Sequence, residues 1–458
     1  MESPRKVLIS GAGLVGSLMA IAMKKRGHHV ELYELRTDMR RETSLAGKSI
    51  NLIITAKGIN PVINLGLWES VKTIITPVTG RMMHSKSVEL TYQPYGKDET
   101  ECNYSVSRAE LNKMLMTEAE EIGVIIHFEA GLKSLDTVNK TAYFNNGAKK
   151  SYDLFFGADG AGSLTRKAMI NSLEDQADYK TEPLGSHYKE LLMPADEKGN
   201  YQMDKKALHI WPRGNHMLMA LPNQDGSFTM TLYMPEQWYK DFNTEEKVKY
   251  YFEENYPDAI KLMPNYLEEY ADNPQGFLGC VRMSPWIYQD QIILLGDAAH
   301  AIVPFFGQGM NCGFSDVQFL IDQLDKNNDN LSKAFQAYDA HQKPNGDAIA
   351  DLSIENFIEM CEKVGDENFL FRKKVEHIVE KAYPNLYRSR YGMVTYTLIP
   401  YHKAKEAGEI QAKIITELCQ GLKNAEDVNL QQARILIESK LSPWLAENNL
   451  SIERFKGI

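Results

Sequence analysis

Residues 7–34 leave the chain little choice of local architecture. Val7-Leu8-Ile9 is a short apolar run suited to a buried strand, and GAGLVG at 11–16 follows it directly. Leu18, Ile21 and Ala22 then share a helical face, Lys24, Lys25 and Arg26 suit the negative end of that helix, and Gly27 stops it. Val30-Glu31-Leu32-Tyr33-Glu34 returns as the next strand. The spacing predicts a βαβ unit opened by Gly11, Gly13 and Gly16, where missing side chains let the turn close and let backbone N–H groups approach a phosphate. Glu34 falls at the end of the second strand, where a carboxylate accepts hydrogen bonds from ribose hydroxyls and repels a 2′-phosphate. The nucleotide expected here is therefore FAD or NAD, not NADP.

Two later segments extend this cradle. GADGAGSLTR at 157–166 pairs Asp159 with a glycine turn and with Ser163 and Arg166. GDAAHAIVPFFGQGMN at 296–311 follows the apolar run Ile292–Leu295, and it packs an acid, a proline turn and two glycines into one strand-to-helix junction. An aspartate at such a strand end can bond a sugar-like hydroxyl, while Gly307 and Gly309 let the backbone approach a flat ring or a phosphate. In this order the three segments resemble the single-component flavoprotein aromatic hydroxylases. The resemblance implies an α/β chain with a Rossmann-type FAD-binding domain, an inserted β-sheet substrate domain and a C-terminal helical segment. It implies FAD contacts at Gly11, Gly13, Val15, Gly16, Glu34, Arg36, Arg108, Leu132 and Asp159. Further contacts follow at Asp297, facing the ribityl chain, and at Pro304, Gly307, Gly309, Met310 and Asn311 beside the isoalloxazine. A turn aspartate before glycine is also common without any ligand, so both roles stay open for Asp159.

Scattered segments sharpen the resemblance: SINL at 49–52, GRMMH at 80–84, QPYG at 93–96, SVSR at 105–108, LHIWPR at 208–213, ENFIEM at 355–360 and RYGMVTY at 390–396. They are similar to the kynurenine-hydroxylating branch of that family, from about Lys6 to about Tyr401. That likeness implies hydroxylation of L-kynurenine to 3-hydroxykynurenine with dioxygen and NADPH, the flavin itself providing the reacting oxygen and no side chain acting as catalyst. It carries the substrate carboxylate to Arg81, Tyr95 and Tyr391, with Asn356, Met360 and Phe306 as further substrate contacts; a guanidinium grips a carboxylate by two parallel bonds. Asn356, Glu359 and Met360 share one face of an expected helix. Lys48 departs from the arginine usual before SINL. Arg81 with two tyrosines also suits a hydroxylase of another aromatic amino acid or acid, and the cradle alone would serve a flavin-binding module without turnover.

The chain's 458 residues suffice for several units. Expected boundaries are 1–180 and 279–370 for a discontinuous FAD-binding domain, 181–278 for the β-rich insertion and 371–458 for the helical segment. Within the insertion, residues 208–211, 217–221 and 228–233 read as strands. With 51 basic and 61 acidic side chains, the net charge of -10 argues against a nucleic-acid or anionic-membrane surface. No apolar run reaches the eighteen or so residues that span a bilayer. The C-terminal anchor of eukaryotic members is not evident, and Ile410, Ile414 and Leu418 recur instead at helical spacing. Five cysteines without metal spacing suit a reducing cytoplasm. His209 and Trp211 are expected in a core, and His300 reads as structural, with no second metal-type ligand at a useful spacing and no metal expected. A monomer and a homodimer are both compatible with these features.

Overall fold

Strand Lys6–Ser10 runs parallel to His29–Tyr33 on one side and to Leu154–Gly157 on the other, and this double pairing seals Val7, Leu8 and Ile9 from solvent. The computed structural model describes residues 3–41, 51–87, 89–98, 100–360 and 367–457. Lys48, Ser49, Ile50 and Cys361 lie outside the described residues. Contacts divide the chain into two units: Met1–Ile75, Val106–Leu184 and Leu278–Ala350 form the first, and Thr76–Ser105, Gly185–Phe277 and Asp351–Ile458 form the second.

The first unit is built on a sheet of strand order Ile287–Tyr288, Ile292–Leu294, Leu154–Gly157, Lys6–Ser10, His29–Tyr33 and Ile125–His127. All pairs are parallel except the first. Its central strands are apolar at nearly every position, as both-face burial requires. Helix Leu14–Lys25 buries Leu18, Met19, Ala20 and Ile21, carries Lys24 and Lys25 in its last turn, and is followed by Gly27 at φ +87°. The predicted βαβ unit is therefore present. Helix Gly309–Lys326 packs against helices Leu14–Lys25 and Ala56–Asn64.

In the second unit an antiparallel run joins residues 186–193 of strand Asp178–Met193, Phe228–Pro235, Met217–Pro222 and Ala207–Pro212. The three expected strands fall within these spans. Beyond them Gly80–His84 pairs parallel to Ala207–Pro212, and Leu90–Pro94 pairs antiparallel to Gly80–His84. Residues 80–94 thus belong to the sheet of the insertion, because their strand partners lie there. The core under this sheet contains Trp211, Phe228, Phe252 and Tyr256, with Phe252 supplied by helix Glu245–Asn255. Helix Tyr401–Leu418 buries Ala404, Ala407, Ile414 and Leu418, and helices Leu430–Leu436 and Ser442–Glu447 follow. Among the described residues, no helix is long and apolar enough to cross a membrane.

Candidate functional site

Gly11 holds φ at +99°, and a Cβ there would lie 2.4 Å from the Ala158 carbonyl oxygen. At Gly16 it would lie 1.9 Å from the Gly11 oxygen, whereas at Gly13 nothing stands within 4 Å. Two of the glycines thus close the turn, and the third faces open space at a helix start that has no side-chain cap and no acid in its first turn. Glu34 sits one residue past its strand and accepts from the backbone N–H groups of Ala12 (2.9 Å) and Arg36 (3.0 Å). Asn112 donates to the Ala12 oxygen at 3.1 Å, a contact that sequence reasoning missed. Arg36 and Arg108 are exposed, Arg108 as the first residue of helix Arg108–Glu121, and Leu132 is buried at the start of its strand.

Asp159 accepts from Ser163 Oγ, from the Leu164 and Thr165 N–H groups and from Thr165 Oγ1. Its carboxylate therefore caps helix Leu164–Leu173. Buried Arg166 ties this segment to the Ala298 oxygen at 2.8 Å, beside exposed Asp297. Val15 wedges between two glycines: a Cβ on Gly296 or Gly313 would come within 3.0 or 2.6 Å of it. Pro304–Phe306 forms a single turn ending at Gly307, whose φ of +66° is left-handed, and a Cβ at Gly309 would meet only Ile302, at 3.8 Å. Phe306 and Met310 are buried in this first unit. Fully buried Asn311 accepts from the Thr55 N–H (2.8 Å) and donates to the Ile53 and Gly307 oxygens (2.7 and 2.9 Å). Its amide is a staple, so any contact it offers a ligand comes from backbone.

Behind this junction, His300, Cys312 and Asp316 converge with ligand-type atoms within 4.8 Å of one another. The expectation that His300 has no metal-type neighbour fails because helix Gly309–Lys326 folds back over it. The group is nonetheless arranged as a hydrogen-bonded ion pair. Asp316 Oδ2 faces His300 Nε2 at 2.6 Å and accepts from the Gly296 N–H, and Oδ1 accepts from Gln342. Burial opposes charge on His300, but Asp316 outweighs it and holds the imidazole well above its usual pKa. Lys57, missed in the sequence, is buried nearby, and desolvation pulls its amine down to about 7 against the influence of Cys312.

The second unit brings Arg81, Tyr95 and Tyr391 together. The guanidinium lies 5.4 Å from the Tyr95 ring centroid and 5.6 Å from that of Tyr391, and the two rings stack 5.5 Å apart. Arg81 Nε is buried without a hydrogen-bond partner. Burial works against the Arg81 charge, yet the tyrosines and Glu359 hold its pKa above the usual value. Asn103 donates to the Tyr391 hydroxyl at 2.9 Å, and a buried pair of Glu101 with Arg388 braces the same region. Neither brace carries a sequence signal. Asn356 and Met360 are buried neighbours, with Nδ2 and Sδ 3.5 Å apart. On the adjoining strands His209 and Trp211 are satisfied in the core. His209 bridges His84 Nε2 (2.9 Å) and the Asp204 oxygen (2.9 Å), and Trp211 donates to Asp258 at 2.8 Å.

Residues 5–353 match the family model described as an FAD binding domain. The kynurenine 3-monooxygenase of Myxococcus xanthus (strain DK1622) is 43% identical over 468 residues, spanning 98% of each chain. That of Flavobacterium johnsoniae is 38% identical over 436 residues, 93% of this chain and 96% of the relative. Among solved structures, the tetrameric form of 2-methyl-3-hydroxypyridine-5-carboxylic acid oxygenase superposes with a TM-score of 0.66 at 18% identity, covering 84% of this chain and 99% of that one. A probable FAD-dependent monooxygenase from Pseudomonas aeruginosa, pqsL, gives 0.65 at 18%, covering 80% and 100%. At such identities the two structures speak for the fold alone.

Proposed function

The chain belongs to the kynurenine 3-monooxygenases and carries their FAD binding domain, and on that premise we propose that it hydroxylates L-kynurenine to 3-hydroxykynurenine. NADPH, a proton and dioxygen are consumed; one oxygen atom enters the ring and the other leaves as water. Bound FAD supplies the redox chemistry, passing electrons from NADPH to dioxygen and delivering oxygen to an electron-rich ring.

The residues of the first unit fit that cofactor. Open space at Gly13 beside an uncapped helix start suits a pyrophosphate, and exposed Arg36 and Arg108 can offset its charge. A carboxylate has about four acceptor positions, so Glu34 keeps room for ribose hydroxyls beside its two backbone donors. Exposed Asp297 is assigned to the ribityl hydroxyls, the backbone of Gly307, Gly309, Met310 and Asn311 to the flavin ring, and Val15, Leu132 and Pro304 to packing around the cofactor. Asp159 holds the cradle through its helix cap.

The observation that carries the substrate reading is the buried, unsatisfied Nε of Arg81, whose guanidinium lies against both rings of the Tyr95–Tyr391 stack. A buried donor without a partner is costly, and a substrate α-carboxylate relieves that cost with charge-assisted bonds. The hydroxyls of Tyr95 and Tyr391 complete the grip. Asn356 is assigned to the polar end of the substrate, and Met360 and Phe306 to its apolar body. The thiols of Cys102, Cys312 and Cys419 agree with a reducing cytoplasmic setting.

The test is to mix purified yellow protein with NADPH and a panel of aromatic amino acids and to identify products by mass. Kynurenine-stimulated NADPH oxidation with a stoichiometric product one oxygen heavier is expected. Oxidation stimulated instead by another aromatic acid would move the chain to a different substrate, and a colourless protein that takes up no FAD would end the reading.

A further inference from the structure

Lys97, Arg388, Arg454 and Lys456 line one cavity of about 490 Å³ in the second unit, with Phe455 and a single acid, Glu453, also on its wall. In a chain of net charge -10, four cations on one concavity run against the overall balance. Glu453 pairs with Lys456 at 3.5 Å, both exposed, and Glu101 pairs with Arg388, which leaves Lys97 and Arg454 without a salt bridge among the described residues. Arg388 is only 2% exposed. Its Nε donates to the Ile452 oxygen at 2.6 Å and its Nη1 to Glu101 at 2.8 Å, leaving Nη2 without a hydrogen-bond partner among the described residues. Arg454 is held by one bond from Nη1 to Thr100 Oγ1, at 3.0 Å.

We propose that this cavity binds a phosphate dianion. The Arg454 guanidinium, the remaining Nη2 of Arg388 and the Lys97 ammonium offer the planar and point-charge donors that a phosphate dianion needs, and Phe455 gives an apolar face for an attached ring system. The Glu101–Arg388 pair ties the cavity to the carboxylate clamp. Glu101 also accepts from the Lys97 N–H at 3.2 Å, two positions beyond Tyr95, and Arg388 stands just ahead of the helix Arg390–Tyr396 that carries Tyr391. The phosphate could be a free anion that modulates the enzyme or the 2′-phosphate of NADPH. Only the second source rests on the proposed function.

Calorimetric titration of the FAD-loaded protein at constant ionic strength tests the site, with inorganic phosphate, NADP⁺ and NAD⁺ as probes and chloride as the control. Arg454→Gln and Lys97→Gln are the variants, because neither disturbs the Glu101–Arg388 pair, and unchanged FAD content checks their folding. Phosphate should bind the parent protein and weaken by about tenfold or more in each variant, as expected for loss of a charge-assisted bond. A matching loss for NADP⁺ but not NAD⁺ identifies the donor's 2′-phosphate; phosphate loss with NADP⁺ unaffected identifies a free anion. Phosphate heats no larger than those of chloride, or equal affinities in parent and variants, overturn the proposal. Failure of kynurenine to stimulate NADPH oxidation would overturn the assigned activity and leave the phosphate titration readable.

Discussion

Arg81→Met should move binding and stability in opposite directions. In the free protein the guanidinium has a buried, unsatisfied Nε, a defect costing roughly 1–3 kcal/mol. Cation–π contact with Tyr95 and Tyr391 returns roughly 0.5–2 kcal/mol for each ring. These terms nearly cancel, and methionine fills similar space without a charge to desolvate. The unliganded variant should therefore unfold within about 1 kcal/mol of the parent. Binding is different, because two parallel charge-assisted bonds to the carboxylate vanish at about 1.5–3 kcal/mol each. Loss of the relief that the carboxylate gives the orphan donor adds to this, so a net loss of at least about 3 kcal/mol remains, which is roughly 150-fold or more in Kd. Kynurenine titration followed by flavin absorbance, with urea unfolding on the same samples, reads both quantities. A Kd within threefold of the parent would refute the assignment of Arg81. Weaker binding accompanied by several kcal/mol of destabilisation would show that its role is to hold the fold.

Glu34→Ala should lower FAD affinity by about tenfold or more, since it removes a ribose acceptor and the anchor of the Ala12 and Arg36 N–H groups; full cofactor content after dialysis would contradict this. Gly13→Ala and Gly16→Ala should separate. The first leaves apo-protein stability within about 1 kcal/mol while weakening FAD binding, and the second prevents correct folding because its Cβ meets the Gly11 oxygen; similar circular dichroism melts for both apo-variants would sink this distinction. Burial pulls His209 and His216 down to about 4, so between pH 6.5 and 4 the unfolded chain binds protons that the folded chain refuses. Stability should fall as pH drops through that window, by up to about 1.4 kcal/mol per pH unit for each histidine. His209→Gln should reduce the slope measured by urea midpoints, and an unchanged slope would exonerate it.

The sequence made the βαβ unit legible because its determinants are local: an apolar strand, three glycines, a helix face and Glu34 lie within one short stretch. The strands at 208–211, 217–221 and 228–233 were readable for the same reason, through their bounding turns. Long-range pairing was not. Asn103 meets Tyr391 across 288 positions and Glu101 meets Arg388 across 287, and no periodicity announces such partners. Arg81, Tyr95 and Tyr391 could be named only through resemblance, since each alone is an ordinary residue of its type. His300 shows the converse problem. Its partner Asp316 is only 16 positions away, but the intervening turn at Pro304–Gly307 folds a helix back, which linear spacing does not reveal. For Asp159 and Asn311 the sequence shows a glycine turn and a strand-to-helix junction, whereas the tasks of the side chains, a helix cap and a backbone staple, depend on hydrogen bonds that only three-dimensional structure displays.

A cation set against a pair of stacked aromatic rings, with one donor buried and unpaired, sets a threshold for entry. An ester or primary amide of the same amino acid would match the shape of the acid, yet it would bring no negative charge to the waiting donor and would forfeit the relief that a carboxylate provides. Selection against such neutral look-alikes should therefore exceed the roughly 10–200-fold that a lone missing methylene achieves in an apolar pocket. Protection of the carboxyl group would then exclude a molecule whose ring chemistry is otherwise competent, making ionisation at one end of the substrate a condition for reaction at the other.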